Sequence, residues 1–284
     1  MRKAMRLAFC AVVLGLGANV ASADVLTIAI TGQVVSANDS SLGVTVGQAV
    51  SGTYSYDTST PVGSNNTYTL ASPPANITLS VAGGPTYQTQ NNWSFQIAVD
   101  PPNLPGQNIF SYTATSPSSG GASTTFNVGF EDPSAQWLTS TALPTTLPPL
   151  GSNRQVSGAI LIQPANSSGF WAQINTVAVV PSITVSPANS SFITQQNFDA
   201  ALLLSAQLPV SSMQASVNGT SIGFSYPGTC SLAPANNAQR TALICPNAAA
   251  VLATLGGGPV TINWQVVLGD GSVLQQSVIW NLVL

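Results

Sequence analysis

Apolar and polar residues alternate along several short segments of this chain. The clearest segment places Trp93, Phe95, Ile97 and Val99 on one face, with small and polar residues between them. Because successive side chains of a β-strand point to opposite faces, this period of two is typical of a strand with one buried face. Similar runs occur at residues 26–30, 50–56 and 126–130, and polar turn clusters separate them. The pattern predicts an all-β fold of sandwich or barrel type.

The length of the chain allows two such domains. It has 284 residues, and the best boundary lies near Pro181, after a run of apolar residues that ends a strand. We therefore predict a β-sandwich domain at 24–180 and an immunoglobulin-like β-sandwich domain at 182–284. Within the first domain, residues 142–150 contain three prolines, which cannot donate to the ladder of a central strand. This segment is predicted to be an ordered loop that crosses the sheet edge with its leucines packed inward.

The first 23 residues have the pattern of a secretory signal peptide. Arg2, Lys3 and Arg6 precede a short apolar run at 7–16, and residues 21–23 (ASA) form a cleavage site. The alternative is a membrane anchor, but the apolar run is too short to span about 30 Å of hydrocarbon. We expect a bacterial protein that is secreted or held at the cell surface, begins at Asp24 and has no membrane span after cleavage.

Two cysteines remain once the signal peptide, which contains Cys10, is removed. An even number of cysteines in an exported chain predicts a disulfide, here between Cys230 and Cys245. The alternative is a pair of buried free thiols. Closing a loop of about 15 residues would stabilise the fold by roughly 3 kcal/mol.

The composition excludes many kinds of catalytic and binding site. The chain has no histidine, and cleavage would leave no lysine and two arginines, Arg154 and Arg240. Histidine-dependent triads, histidine-ligated metals and lysine Schiff bases are therefore excluded. Two arginines are too few for a nucleic-acid footprint. We expect no cofactor, no metal and no nucleic-acid partner.

The acidic residues are few and scattered. Glu131 and Asp132 are adjacent, so a strand would point them to opposite faces. Asp57 is interpreted as a turn residue before Pro61, although the sequence DTS faintly resembles an aspartic-protease strand motif. A calcium site at residues 38–40 is the alternative for the region around Asp39, since calcium prefers oxygen ligands.

The five tryptophans include two candidates for ligand contact. Trp93, Trp264 and Trp280 fall on apolar strand faces and are predicted to be core residues. Trp137 and Trp171 lie in less regular segments. We predict that either could contact a ligand, such as a sugar ring.

Three segments of the first domain carry a resemblance to known proteins. They are residues 31–35 (TGQVV), 51–61 (SGTYSYDTSTP) and 140–147 (STALPTTL). In these segments the chain resembles bacterial exported proteins of the PEP-CTERM-associated type, a group whose biochemical role is largely unassigned. The sorting signal itself, a Pro-Glu-Pro motif with an apolar helix and a basic tail, is absent from this sequence, so sorting by that route is not implied.

The second domain resembles bacterial immunoglobulin-like modules. The resemblance rests on residues 198–199, 217–219, 230, 245–246, 270–272 and 278–280. One short helix is predicted at 248–255, with Asn247 as its N-cap and Gly256 to Gly258 ending it. Residues 198–206 are compatible with a helix, but their place in the module favours a strand.

The C-terminus has the pattern of a hairpin with an odd-length loop. Apolar residues occupy the even positions at 260–268 and, beyond the turn, positions 274, 278, 280, 282 and 284. A two-residue turn would put the two sets on opposite faces of the sheet. We therefore predict a three-residue connection, Gly269-Asp270-Gly271, with a glycine in the left-handed conformation. The last strand should face the core of its own domain, and the alternative is a strand donated to a partner.

These observations predict a noncatalytic structural or adhesive protein of the bacterial cell surface or extracellular matrix. Its partner would be a surface glycan or another cell-surface protein. The alternative is a carbohydrate-binding module or a carboxylate-dependent glycosidase, which would need a cleft at Trp137 or Trp171 with a pair of carboxylates.

Overall fold

The computed structural model describes residues 25–100, 108–118, 123–134, 136–150, 157–165, 167–194, 198–205, 208–234 and 240–283. The predicted signal peptide, the cleavage site before Asp24 and Leu284 lie outside these residues. Within the described part of the chain, no helix is long and apolar enough to cross a membrane.

Ten strands form one antiparallel sheet, called here the N-terminal sheet. They are β1 (Val25–Ala37), β2 (Ala49–Asp57), β3 (Thr67–Leu70), β4 (Asn76–Val81), β5 (Thr86–Gln88), β6 (Ser94–Asp100), β7 (Ile109–Thr115), β8 (Thr125–Glu131), β9 (Ser157–Gln163) and β10 (Phe170–Val179). Their order across the sheet is β3-β6-β7-β8-β9-β10-β1-β2-β4-β5. Short 3-10 turns at Ser40–Leu42 and Ser64–Asn66 lie between strands.

The N-terminal sheet folds over so that distant strands share one core. Tyr54 on β2 lies against Tyr112 on β7, with ring centroids 5.7 Å apart, although four strands separate β2 from β7 in the sheet. The Tyr112 hydroxyl donates a hydrogen bond to the Ser55 carbonyl oxygen at 2.8 Å, and burial raises the pKa of Tyr112. The buried alternate residues of each strand therefore pack face to face as a sandwich, as the alternation predicted.

The proline-containing segment 142–150 covers this core as an ordered loop. Leu143 is buried, and Leu147 and Leu150 pack against the same cluster. Two buried tyrosines hold the loop, since Tyr56 donates to the Pro144 carbonyl oxygen at 2.7 Å and Tyr68 to that of Thr141 at 2.6 Å. The predicted loop with inward leucines is confirmed.

The remaining strands form two sheets, together called the C-terminal sandwich. One sheet has the order β11 (Ser182–Ser186), β13 (Ala200–Ser205), β17 (Arg240–Cys245) and β16 (Ser231–Pro234). The other has the order β12 (Phe192–Thr194), β19 (Val273–Val283), β18 (Gly258–Leu268), β14 (Val210–Val217) and β15 (Thr220–Tyr226). Two facing sheets of this size have the form of an immunoglobulin-like sandwich. Among the described residues, its apolar core shares none with the core of the N-terminal sheet. Independent folding of 24–180 and 182–284 stays a prediction.

The C-terminal hairpin has the odd-length loop that the even positions of its apolar residues predict. Ile262 pairs with Val278 and Val260 with Trp280, so even positions face each other across β18 and β19. The Leu268 amide donates to the Ser272 carbonyl oxygen, which leaves residues 269–271 as a three-residue connection. Gly271 has a φ of 84°, the left-handed conformation that favours glycine.

The predicted helix is present, but its N-cap differs from the prediction. Helix α1 (Ala248–Leu252) continues as a 3-10 turn over Ala253–Leu255 and ends at Gly256, whose φ is 80°. Asn247 does not cap α1 with its side chain, because its backbone is left-handed with a φ of 55° and ψ of 37°. A capping residue needs extended backbone to turn its side-chain oxygen toward the first free amides.

The predicted disulfide is present in the C-terminal sandwich. Cys230 and Cys245 are bonded, with their Cα atoms 4.3 Å apart, at the end where β16 and β17 pair. Both residues are buried in the apolar core.

Removing this disulfide should lower the stability of the C-terminal sandwich by roughly 3 kcal/mol, the loss expected for a 15-residue loop in the chain-entropy model. The double variant Cys230→Ala/Cys245→Ala suits the test, because both sites are buried and serine would add unsatisfied hydroxyls. Calorimetry should show one transition moved to lower temperature and the transition of the N-terminal sheet unchanged. A reductant should shift the wild-type protein in the same way and leave the double variant unaffected. An unchanged thermal profile would contradict the prediction.

Candidate binding groove

An open groove of about 730 Å³ crosses the outer face of the N-terminal sheet. Five neighbouring strands, β7, β8, β9, β10 and β1, contribute its lining. Most lining residues alternate along their strands with core residues and point to the outer face of the sheet. They are Val35, Ile109, Ser111, Asn127, Gly129, Glu131, Ser157, Ala159, Leu161, Trp171 and Gln173.

Strand register arranges the groove residues in rows across the strands. Gly129 pairs with Ser111 on one side and with Ala159 on the other, which makes a floor of small residues over β7, β8 and β9. On β10 the same row continues with the larger Gln173, the partner of Ala159. One neighbouring row contains Asn127, Leu161 and Trp171, again as successive cross-strand partners. The other neighbouring row contains Ile109, Glu131 and Ser157. The groove therefore runs across the strand direction between two rows of mostly larger side chains.

Trp171 belongs to a patch of exposed apolar side chains at one end of the groove. Its cross-strand partner Leu161 and its neighbour Val35 are exposed to 38% and 44%, and Trp171 itself is exposed to 47%. The pairing of β1 with β10 shifts register between Val34 and Ser36, directly opposite Trp171. Such bulges re-aim side chains, and here the bulged Val35 lines the groove. The structure thus places one predicted ligand contact, Trp171, in the groove.

Asn127 has a fixed orientation in the groove. Its Nδ2 atom donates to Ser111 Oγ at 2.7 Å and to Thr113 Oγ1 at 2.9 Å. Both amide hydrogens are thereby used, and no described residue donates to Asn127 Oδ1. The groove therefore contains an oriented acceptor, together with the Ser111 hydroxyl, which donates to no described residue.

Glu131 is the charged residue among those that line the groove. The neighbouring Asp132 points the opposite way and is buried, which confirms the prediction for this pair. Asp132 Oδ2 accepts from the amides of Trp137 at 2.7 Å and Leu138 at 2.9 Å, and Oδ1 accepts from Ser134 Oγ. Asp132 thus anchors the start of the covering loop and takes no part in the groove.

Trp137, the second predicted ligand contact, is not among the residues that line the groove. Its ring packs 5.7 Å from Phe130 and 6.0 Å from Phe110, and its Nε1 donates to the Thr146 carbonyl oxygen. The structure therefore does not bring Trp137 and Trp171 together. Trp137 contributes to the contact between the covering loop and the core.

Three further carboxylates hold turns. Asp57 accepts from the Ser59 amide and Asp270 from the Ser272 amide, as predicted for turn residues. Asp39 accepts from Ser167 Oγ and from the Ser41 amide, and the hydrogen bond from Ser167 is the main reason why the pKa of Asp39 is lowered. At the alternative calcium site, this carboxylate is already engaged by protein donors.

Sequence reasoning missed most of the groove. Asn127, Gly129 and Ser111 are ordinary outward residues of separate strands, and their relation depends on the register of β7, β8 and β9. The one available signal was the glycine at position 129 in an otherwise regular alternation, since glycine inside a strand often marks a site where a ligand or another backbone segment approaches closely.

No protein-family model and no curated protein sequence matches this chain. The fibronectin(III)-like modules of Clostridium thermocellum CbhA are similar at 12% identity, over 83% of this chain and 85% of that chain, with a TM-score of 0.23. A polysaccharide lyase is similar at 8% identity, over 91% of this chain and 39% of that chain, with a TM-score of 0.24. Likenesses as weak as these say nothing about the activity of this chain.

Proposed function

We propose that this protein is an exported, noncatalytic structural or adhesive protein of the bacterial cell surface or extracellular matrix, and that it attaches through the groove. The observation that carries the proposal is the groove itself, a preformed surface feature whose described lining contains one carboxylate, Glu131. Carboxylate-dependent hydrolysis of glycosides needs two such groups at one bond.

The disulfide between Cys230 and Cys245 supports the exported location. Disulfides persist in oxidising compartments such as the periplasm and the cell exterior. Intact mass of the exported protein is the direct check, and it should correspond to a chain that begins at Asp24.

One observation favours a glycosidase as the second candidate. The backbone of Asp100, at the end of β6, pairs with Ile109, which in turn pairs with Glu131. Two carboxylate-bearing positions therefore lie two strands apart, about 10 Å by strand spacing. In an inverting glycosidase, the carboxyl groups are about 6.5–9.5 Å apart.

Incubating the purified protein with a broad set of glycoside and polysaccharide substrates separates the two candidates. We expect no product above the enzyme-free control, because Glu131 is the one carboxylate among the described lining residues and the hydrolysis needs two. The variants Glu131→Gln and Asp100→Asn are the matched controls, since each removes one charge and keeps the side-chain shape. Turnover by the wild-type protein that disappears in either variant would show that the protein is an enzyme.

A further inference from the structure

We propose that the groove binds a neutral linear glycan that lies across the strands, with a sugar ring stacked on Trp171 and sugar hydroxyls bonded to Asn127 and Ser111. The proposal rests on the noncatalytic adhesive function proposed above and names the ligand class of that site.

The first support is Gly129, whose presence the backbone does not explain. A Cβ atom at this position would meet Asn127 Oδ1 at 3.3 Å and the Phe110 carbonyl oxygen at 3.9 Å, so an added methyl group would crowd the oriented Asn127 amide rather than the backbone. Gly129 is also not among the residues with a positive φ. Glycine inside a strand is destabilising relative to alanine. Its evident effect here is to keep the floor open between the two rows of larger side chains.

The second support is the shape of the groove. Five neighbouring strands contribute its lining, and four strand spacings correspond to about 19 Å. A site of this length, open on its outer side, suits an extended chain rather than a compact metabolite, which would be enclosed in a pocket.

The third support concerns what kind of chain can bind. Extended peptides usually bind by adding a strand to a sheet edge, where main-chain groups are free. Strands β7, β8, β9, β10 and β1 each have a partner strand on both sides, so the groove floor offers no such edge. A glycan needs instead an apolar ring face and side-chain hydrogen-bonding groups. Trp171 provides the former, and Asn127 and Ser111 the latter.

The fourth support is charge. Among the described residues that line the groove, Glu131 is charged and none is a lysine or an arginine. An anionic polymer, such as a polyuronate, would bring its charge against this carboxylate, which disfavours its binding. The ligand class is therefore neutral.

Calorimetric titration tests the proposal with neutral hexasaccharides and with one anionic hexasaccharide of the same length as a control. The neutral set is cellohexaose, xylohexaose, mannohexaose, laminarihexaose and maltohexaose, and the anionic control is hexagalacturonate. We expect saturable binding of at least one neutral hexasaccharide, and binding of hexagalacturonate at least about tenfold weaker.

Two variants test the site itself. Trp171→Ala removes the ring and Gly129→Leu fills the floor, and each should weaken binding about tenfold or more. Trp171→Phe, which keeps a ring, should retain part of the affinity. Thr53→Leu, an outward change on β2 outside the groove, should have no effect. Unchanged far-ultraviolet circular dichroism should show that all variants are folded.

The outcomes separate the ligand from the function. Three results would overturn the proposal. They are the absence of binding to all five neutral glycans, unreduced affinity in both Trp171→Ala and Gly129→Leu, and equal binding of hexagalacturonate. Chromatography of the same samples reports cleavage. A glycan that binds in the groove and is also cleaved would refute the noncatalytic function and leave the ligand assignment standing.

Discussion

Substituting Trp280 with alanine is expected to lower the free energy of unfolding of the C-terminal sandwich by about 3–5 kcal/mol, the range for a large aromatic removed from a core. Trp280 is fully buried, and its ring lies 6.0 Å from Phe198 and 6.3 Å from Trp264. Its Nε1 donates to the Pro187 carbonyl oxygen at 3.0 Å. Urea denaturation followed by circular dichroism measures the loss. Trp171→Ala, at an exposed site, should cost about 0.5 kcal/mol or less.

Two phenylalanine variants separate the hydrogen bond of Trp280 from its packing. Trp280→Phe keeps an aromatic ring but loses the bond to Pro187. Trp264→Phe makes the same change at a buried ring whose Nε1 has no hydrogen-bond partner among the described residues. Because an unsatisfied buried donor costs about 1–3 kcal/mol, Trp264→Phe should be the milder change. Equal losses would mean that the bond to Pro187 contributes nothing.

The position of Trp280 on the last strand also makes truncation informative. A chain that ends at Ile279 loses the residues of β19 that pair with β12 and the inward residues Trp280 and Leu282. The C-terminal sandwich should then fail to fold. A truncated monomer that stays folded and loses only self-association would assign the strand to a partner.

The C-terminal hairpin shows how far sequence alone can lead. Register follows from parity when both strands bury one face, so an odd loop at residues 269–271 could be derived before any coordinates. The conformation of Asn247 could not, because it depends on contacts made by distant residues. The Asn247 amide, for example, donates to Asp199 Oδ1, a residue 48 positions away.

The order of strands in the N-terminal sheet was beyond the sequence pattern. Alternation identifies each strand and its buried face, but neighbours such as β1 and β10 are distant in the chain. Many pairings bury the same faces, so the pattern predicts a sandwich without selecting one topology. The groove could not be predicted for the same reason, because its floor joins Ser111, Gly129 and Ala159 from three strands. Trp171 could be identified alone, since a large aromatic residue outside the apolar alternation is unusual.

The second large effect is expected for Asp132→Ala, which should lower the free energy of unfolding of the N-terminal sheet by about 2–4 kcal/mol. The variant leaves the amides of Trp137 and Leu138 without their acceptor. The Leu138 carbonyl oxygen is held separately by Asn108 Nδ2 at 3.1 Å, so the covering loop should loosen on one side. Urea denaturation measures the stability, and near-ultraviolet circular dichroism reports the packing of Trp137.

Two control variants test whether the loss of stability depends on the burial of the Asp132 carboxylate or only on the loss of its hydrogen bonds. Asp132→Asn keeps one oxygen that can accept from both amides, so it should lose less stability than Asp132→Ala. Asp39→Ala also removes an acceptor of three hydrogen bonds, two from Ser41 and one from Ser167, but at a half-exposed site where water can replace it. It should therefore cost clearly less stability than Asp132→Ala. If Asp39→Ala were as damaging as Asp132→Ala, burial would not be the cause.

The same carboxylate predicts how stability depends on pH. Burial raises the pKa of Asp132, but the hydrogen bonds from Leu138, Trp137 and Ser134 outweigh it, so the pKa in the folded protein lies below its ordinary value. A lowered folded pKa means that the charged form stabilises the fold above the unfolded pKa of about 3.9. This contribution is lost as the pH falls through the folded value. The stability gap between the wild-type protein and Asp132→Ala should therefore be full at neutral pH and narrow in acid. A gap that stays constant between neutral pH and about pH 2 would show that the charge of Asp132 contributes nothing.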